Sequence, residues 1–391
     1  MFVFLKEAIL FGVSLLGGIL VFFGLIPSHA VAPDVKVPTP VTAVPHTTPL
    51  TSELEEQTSE RDVSTPSPSQ ESEKSQTVIE NYEASLEQAL LELARIQREQ
   101  QTPTEAPLGL NEKVRSALVN ILCTTASAGT LSPISASGVI IDPRGVVLTN
   151  AHVAQYYLLK DYPSPGFVDC VLRTGSPATA TYKAELLFLP PSWIAKNAHK
   201  IDDETPTGNG EHDYALLRIT GAVGSHSVPA ALPYLPLVLD APLIGTPVLL
   251  AGYPAGFLGG ITITKELYAA SANASVGQVY TFDTNTVDLF SIGGSIVAQQ
   301  GSSGGAAAQA NSTSPNGAAL LGLITTSSDA PDTGSRDLRA LSTEYIIRDF
   351  EAERGLPLAS YLGMSLKEEQ ERFALSTAPT LSSALITVLE Q

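Results

Sequence analysis

The sequence predicts an all-β domain over residues 111–355. Between about Asn111 and Leu341, short runs rich in β-branched residues alternate with turns rich in Gly, Pro, Asn and Asp. Many short strands separated by such turns are typical of a β-barrel or a β-sandwich. The composition also changes sharply before residue 111, and this second observation separates the β domain from three N-terminal segments.

The first segment, residues 1–30, is predicted to be a signal peptide or an N-terminal membrane anchor. The stretch from Ala8 to Pro27 is almost entirely apolar and carries no charge. Roughly 20 such residues can span a bilayer as a helix. Ser28 to Ala30 includes the small residues that a signal peptidase favours, so both outcomes stay open. With either outcome we expect the β domain outside the cytoplasm, anchored at the cell membrane or secreted after cleavage.

Two further segments connect this apolar stretch to the β domain. Residues 31–77 are rich in Pro, Ser, Thr and Glu, and they are predicted to be a disordered spacer because they cannot bury enough apolar surface. Residues 78–102 are predicted to form an amphipathic helix with a short heptad stripe. The apolar positions over 79–96 either pack on the β domain or bring two chains together, and the pattern does not choose between them.

The charge balance limits the classes of partner. The chain has 40 Asp and Glu residues against 22 Lys and Arg, which gives a formal net charge of −18. Such a charge disfavours nucleic acid, because the phosphate backbone attracts basic surfaces. The two cysteines lack the spacing of metal ligands, so we predict no metal site and no cofactor.

The segment Gly301–Gly305, of sequence Gly-Ser-Ser-Gly-Gly, contains a candidate nucleophile, Ser303. Acyl transfer generates an oxyanion that backbone N–H groups must stabilise. Glycine permits the unusual backbone angles that aim two N–H groups at one point, so Gly301 and Ser303 are the predicted donors. Considered alone, the same residues are also typical of a flexible linker.

Two earlier segments supply the partners that a nucleophilic serine needs, a base and a carboxylate that orients the base. His152 follows a strand-turn-strand pattern, within the sequence Thr-Asn-Ala-His-Val at 149–153. Asp213 precedes an apolar strand pattern, where an acidic residue would be costly without a partner. A core histidine and a turn aspartate are the alternatives for each residue considered alone. Together with Ser303, the two residues predict catalysis by a His-Asp-Ser triad.

The order His152, Asp213, Ser303 and the sequence around each residue resemble the trypsin/chymotrypsin-like serine peptidases, over roughly residues 112–350. The Thr-Asn-Ala-His-Val segment is especially similar to that of bacterial HtrA-like proteases. The resemblance implies two six-stranded antiparallel β-barrels with the site in the cleft between them. His152 and Asp213 would then come from the first barrel and Ser303 from the second.

The resemblance also implies how the domain ends. A closing helix is expected at Ser342 to Arg354. Residues 356–391 are then a C-terminal tail, too short for the PDZ domain of HtrA-like proteases. One short helix is predicted in this tail, over Leu366 to Leu375, and its role is open.

Specificity residues follow from the same resemblance. The base of the pocket for P1, the residue before the scissile bond, falls at Val297, and one wall falls on the strand with Thr325 and Ser327. All three are uncharged, and an unpaired buried cation is expensive. We therefore predict cleavage after small or medium apolar residues. Ser302 occupies the position where digestive members carry an Asp that pairs with a newly cut N-terminus, so activation by that cut is not expected.

The two cysteines are expected to be neighbours. Cys123 lies in the predicted first strand, and Cys170 lies in the strand that follows the His152 segment. The resemblance makes the first and fourth strands of the first barrel adjacent, so we predict a Cys123–Cys170 disulfide, which suits an oxidising compartment. Two separate buried thiols are the alternative.

These features predict a serine endopeptidase that acts on protein or peptide substrates. One alternative is a catalytically inactive peptidase fold that binds peptides. Another is a structural envelope protein, in which the N-terminal segments carry the main function. A missing site residue would favour an inactive fold, and none is missing.

Overall fold

The computed structural model describes residues 109–126, 131–203, 208–256, 258, 260–282, 285–311, 313–314, 317–327 and 337–391. The apolar segment, the spacer and the heptad helix, all predicted before residue 103, lie outside these ranges. Within the ranges, every helix is too short or too polar to span a bilayer.

The described residues form mostly short strands, as the alternating pattern predicts. In chain order the strands are β1 (Leu118–Thr125), β2 (Ile134–Asp142), β3 (Val146–Thr149), β4 (Val168–Thr174), β5 (Thr179–Phe188), β6 (Ala215–Ala222), β7 (Pro247–Gly252), β8 (Ala270–Ser275), β9 (Val279–Tyr280), β10 (Leu289–Gly293), β11 (Ala306–Ala310), β12 (Ala318–Ser327) and β13 (Leu338–Ser342).

Helices precede, interrupt and follow the strands. They are α1 (Leu110–Ser116), α2 (Ala151–Ala154), α3 (Pro191–Asn197), α4 (Gly260–Lys265), α5 (Thr343–Arg354), α6 (Leu358–Leu362), α7 (Leu366–Ser376) and α8 (Ala378–Leu389). Two 3₁₀ turns, Gln155–Leu159 and Ala198–Lys200, continue α2 and α3.

The first six strands close into an antiparallel barrel in the order β1-β2-β3-β6-β5-β4. β1 and β4 are neighbours, and Cys123 lies opposite Cys170 in their register. A disulfide joins these two residues. The predicted pairing is therefore confirmed, and the alternative of two separate thiols is wrong.

The second sheet has seven strands in the order β8-β7-β11-β12-β13-β10-β9, where the sequence analysis expects a six-stranded barrel. The extra strand arises from a bend, because β8 pairs with β7 and β9 pairs with β10. Between them, the N–H of Gly277 donates to the carbonyl of Ser291 at 2.8 Å, and the N–H of Ser291 donates to the carbonyl of Gln278 at 2.8 Å. β8 and β9 are thus two ends of one bent strand that curls the sheet back on itself.

The closing helix is confirmed as α5. Its N-cap is Ser342, whose hydroxyl accepts a hydrogen bond from the N–H of Tyr345 at 3.0 Å. Gly355 ends the helix in the left-handed conformation that glycine adopts with least strain. Phe350 on the buried face of α5 packs its ring 4.7 Å from that of Phe188 on β5.

The residues after Gly355 form a folded cap of three helices, where the sequence analysis expects a tail with one helix. Phe373 of α7 packs 6.3 Å from Phe188, and the hydroxyl of Tyr361 on α6 donates to the carbonyl of Leu187. The Ser382 hydroxyl on α8 donates to the carbonyl of Leu158, in the 3₁₀ turn that continues α2. The helical pattern of α8 is weak because Ser, Thr, Ile and Val have low helix propensity. Packing against the first barrel stabilises α8 instead.

Candidate active site

His152 lies where the edge of the first barrel turns into a helix. β3 ends at Thr149, Asn150 is the N-cap residue, and His152 is the second residue of α2. In the register of β3 and β6, Thr149 lies opposite Ala215. The ends of these two strands are therefore adjacent, which brings His152 close to the residues that precede β6.

Asp213 occupies that adjacent position and binds His152 directly. Its Oδ2 lies 2.9 Å and its Oδ1 3.1 Å from Nδ1 of His152, and Oδ1 also accepts the backbone N–H of His152 at 3.0 Å. The hydroxyl of Thr325, on β12 of the second sheet, donates to Oδ2 at 2.6 Å. Asn150 donates its side-chain amide to the Asp213 carbonyl at 2.8 Å. A buried carboxylate with this many donors is held in one orientation.

The two groups shift each other's pKa values. Burial alone would lower the pKa of His152, but the negative charge of Asp213 and its hydrogen bond raise it above the usual value. Burial likewise opposes ionisation of Asp213, yet the charge of His152 and the donated hydrogen bonds lower the pKa of Asp213. Asp213 therefore remains a carboxylate at neutral pH, and it favours the tautomer in which Nδ1 of His152 carries the proton. Nε2 is then left to accept a proton.

Ser303 lies on a loop before β11 in which three positions require glycine. A Cβ on Gly304 would lie 2.0 Å from the carbonyl oxygen of Ser137, and a Cβ on Gly305 would lie 2.6 Å from that of Ala251. Gly301 and Gly304 have φ values of 92° and 82°, in the left-handed region. The Gly-Ser-Ser-Gly-Gly segment is therefore a tightly packed turn, and the flexible-linker alternative is wrong.

Backbone contacts hold this loop next to the His152–Asp213 pair. The N–H of Ser137 donates to the Ser303 carbonyl at 2.8 Å, and the hydroxyl of Thr149 donates to the Ser137 carbonyl at 2.8 Å. The Ser137 hydroxyl also donates to the Gly301 carbonyl at 2.7 Å. Ser137 lies on β2 of the first barrel, so this one residue connects the loop to the strand that leads to His152.

The Ser303 side chain is partly exposed and makes no hydrogen bond to His152 or to any other residue that the structure describes. Such bonds are often long in a free enzyme and tighten when substrate binds. By contrast, Ser302 is 1% exposed, and its hydroxyl has no partner among the described residues. Ser302 thus points into the protein, and Ser303 is the serine of this pair that an external molecule can reach.

Two backbone donors flank the Ser303 side chain. The N–H groups of Gly301 and Ser303 make no hydrogen bond within the described part of the chain. The carbonyl of Gln300, in the same peptide unit as the Gly301 N–H, accepts from the N–H of Ala255 at 2.7 Å. Because a trans peptide directs its N–H and C=O in opposite directions, the Gly301 N–H points away from Ala255. Two backbone N–H groups next to Ser303 thus have no partner within the described residues, as an oxyanion hole requires.

The residues predicted to line the substrate pocket do not form one common wall among the described side chains. Val297 and its neighbour Ala298 are both 0% exposed and belong to the core of the second sheet. The Thr325 hydroxyl binds Asp213, so this hydroxyl does not face a substrate side chain, as a pocket wall would require. Ser327 ends β12, and its side chain lies outside the described part of the structure.

Two features of the site were missed from the sequence. Thr325 binds Asp213 from 112 residues away, and no local pattern indicates such a contact. No role for His212 is predicted from the sequence, yet its Nδ1 lies 2.9 Å from Oδ1 of Asp349 on α5. The signal that was available is the run Glu211-His212-Asp213, three titratable residues directly before an apolar strand. No cluster of metal-ligating side chains occurs among the residues that the structure describes.

Part of the chain matches a known protein family. Residues 136–312 match the family described as the trypsin-like peptidase domain. No curated protein matches the chain significantly. Among solved structures, the active form of the Rv3671c protease from M. tuberculosis is 18% identical, with a TM-score of 0.37, over 64% of this chain and 89% of that one. A serine endoprotease from Yersinia pestis is 20% identical, with a TM-score of 0.38, over 64% of this chain and 69% of that one.

Proposed function

We propose that this chain, whose residues 136–312 match the trypsin-like peptidase domain, is an endopeptidase that uses Ser303 as nucleophile, His152 as base and Asp213 as the orienting carboxylate. The observation that carries the proposal is the contact between His152 and Asp213, which hydrogen bonds of Ser137 and Thr149 connect to the Ser303 loop. The match to a peptidase family supports proteins and peptides as the substrates.

The chemistry follows from the positions of these groups. Ser303 Oγ attacks the carbonyl carbon of the scissile peptide, and Nε2 of His152 accepts the hydroxyl proton. The N–H groups of Gly301 and Ser303 stabilise the oxyanion that forms. His152 then protonates the leaving amine, and a water molecule hydrolyses the acyl-enzyme by the same route. Because Asp213 raises the pKa of His152, the base is active only above that raised pKa, and activity increases as the pH rises through it.

A fluorophosphonate probe, which modifies activated serines, tests the assignment. We expect labelling of the wild-type protein at Ser303, no labelling of Ser303→Ala, and full labelling of the matched control Ser302→Ala, because the Ser302 hydroxyl is buried. Peptide mapping identifies the modified residue. A folded wild-type protein that resists the probe would favour the two alternatives, an inactive peptide-binding module or a structural envelope protein.

For specificity we propose cleavage after small or medium apolar P1 residues such as Ala, Val or Leu. The support is the lack of charge at Val297, Thr325 and Ser327, the positions where the resemblance places the pocket. Single methylene differences in such pockets change the free energy by about 1–3 kcal/mol, so the preference is broad. Profiling of cleavage sites in a mixed peptide library checks this preference. A dominant Arg or Lys at P1 would overturn it.

We also propose that the peptidase domain acts outside the cytoplasm. The support is the Cys123–Cys170 disulfide, because such bonds persist mainly in oxidising compartments. Alkylation of unreduced protein taken directly from cells measures the free thiols. Protein without reactive thiols agrees with export, whereas two reactive cysteines would contradict it.

A further inference from the structure

A second histidine–carboxylate pair lies next to the His152–Asp213 contact. Nδ1 of His212 is 2.9 Å from Oδ1 and 3.0 Å from Oδ2 of Asp349 on α5. The His212 side chain is only 15% exposed. His212 precedes Asp213 in the sequence, yet no step of the proposed hydrolysis uses it.

The backbone at His212 is strained, and neighbouring groups hold it in place. Its φ of 58° lies in the left-handed region, which is uncommon for residues other than glycine. Its N–H donates to the hydroxyl of Tyr345 at 3.0 Å, and its carbonyl accepts from the N–H of Tyr214 at 2.9 Å. The N–H of Asp213 donates to the carbonyl of Gly210 at 3.1 Å. This turn sets the direction in which the Asp213 side chain leaves the backbone.

We infer that His212 is a positioning residue for the proposed hydrolysis, and that its ion pair with Asp349 holds the strained turn and thereby keeps the Asp213 carboxylate against His152. The inference rests on the proposed function. Through Asp349, the closing helix α5 then helps to hold the catalytic pair in place. His212 does not contact the reacting atoms, so it acts only through Asp213.

The charged groups around His212 determine whether its imidazole ring is protonated. Asp349 and Glu353 of α5 face Nδ1, at 2.9 Å and 3.9 Å, while Glu211 lies 3.6 Å from Nε2. Lys196 of α3 lies 3.3 Å from Nε2 and opposes protonation. The three carboxylates together favour protonation of His212 more strongly than the single ammonium group opposes it. The nearby hydroxyls of Tyr345 and Tyr214 stay neutral, because burial and the Asp349 charge raise both of their pKa values.

The two histidines therefore have opposite requirements. The hydrogen bond and charge of Asp349 raise the pKa of His212 against the effects of burial and of Lys196. A raised pKa means that the ion pair is complete at low pH and is lost as the pH rises through that value. His152, by contrast, must lose its proton to act as a base. The inference therefore predicts an alkaline limb of the pH profile that depends on His212, besides the acid limb that depends on His152.

The test compares kcat and KM across pH for the wild type, His212→Asn and Asp349→Asn. Asparagine tolerates the left-handed backbone and can donate to Asp349, but it does not titrate. We expect His212→Asn to lower kcat about ten- to a hundredfold, with KM nearly unchanged and the alkaline limb absent. Asp349→Asn removes the ion pair at every pH, so it should lower kcat to a similar degree and also lack the alkaline limb. The acid limb should remain, and the exposed control His226→Asn should match the wild type.

NMR titration of the His152 ring gives a second measurement that does not depend on turnover. If His212 positions Asp213, both variants should shift the pKa of His152 toward its ordinary value, because the carboxylate moves away. Unchanged kcat profiles and an unchanged His152 titration in both variants would overturn the inference. Failure of the probe to label wild-type Ser303 would instead overturn the proposed function, and the NMR result would still decide the role of His212. Should His212→Asn fail to fold, Asp349→Asn tests the same contact.

Discussion

At the scale of single residues, the glycines around Ser303 matter because atoms from other parts of the chain occupy the space that a side chain would need. A Cβ on Gly304 would lie 2.0 Å from the Ser137 carbonyl oxygen and 2.5 Å from the Thr149 hydroxyl. Both groups belong to the first barrel, whereas Gly304 belongs to the loop before β11. The missing side chain is what allows the two parts of the site to approach so closely.

Gly304→Ala should therefore lower the free energy of unfolding by at least about 3 kcal/mol, through overpacking and backbone strain together. The matched control is Gly293→Ala, because Gly293 has a similar φ of 73° but no atom within 4 Å of the added Cβ. The control should show backbone strain alone, of about 1 kcal/mol. Denaturant unfolding measures both losses, and equal losses would contradict the role of the close contact.

At the scale of elements, the C-terminal cap is an integral part of the first barrel. Phe373 on α7 is 6% exposed, and its ring packs against that of Phe188 on β5. Gln370 on α7 hydrogen-bonds to Glu185 and Arg218 on β5 and β6. α7 thus covers the outer face of these two strands with apolar and polar contacts together.

Phe373→Ala should destabilise the domain by about 3–5 kcal/mol, the usual cost of removing a buried phenylalanine side chain. Leu375→Ala on the same helix is the control, because Leu375 is 82% exposed and its loss should change stability by less than about 0.5 kcal/mol. Thermal melting of the two variants checks the difference. A neutral Phe373→Ala variant would mean that the cap is dispensable.

Local sequence patterns predict individual strands but not the contacts between distant elements. The strand before His152 and the strand after Asp213 follow from local sequence patterns, and the resemblance places both residues in the first barrel. The contact of Thr325 with Asp213 and that of His212 with Asp349 join residues 112 and 137 positions apart. No local period encodes such contacts, because they arise only after strands and helices have packed. The three-helix cap was missed for the same reason, since packing stabilises α8 more than its own propensity does.

At the scale of the whole molecule, the Cys123–Cys170 bond fixes the seam between β1 and β4 of the first barrel. The bond closes a loop with a sequence separation of 47, which contains the strand, turn and helix that carry His152. Such a cross-link restricts the unfolded chain more than the folded barrel.

Reduction should therefore lower stability by about 2–4 kcal/mol without changing the fold. We expect the melting temperature of the wild type to decrease in the presence of reductant. The double variant Cys123→Ala/Cys170→Ala should melt near that lower temperature with or without reductant. Identical melting of the oxidised and reduced wild type would show that the bond adds no stability.

The Ser137 contacts have a consequence for inhibition. One residue of the first barrel binds the backbone of the Ser303 loop through its N–H and its hydroxyl, and this same hydroxyl also accepts the N–H of Tyr253. Hydrogen bonds of this kind weaken steeply once their atoms separate by more than a few tenths of an ångström. A compound that binds between the two sheets at Ser137 and separates them would displace the Ser303 loop and inactivate the nucleophile without occupying the substrate cleft. Inhibition of this kind would be non-competitive, so a higher substrate concentration would not reverse it.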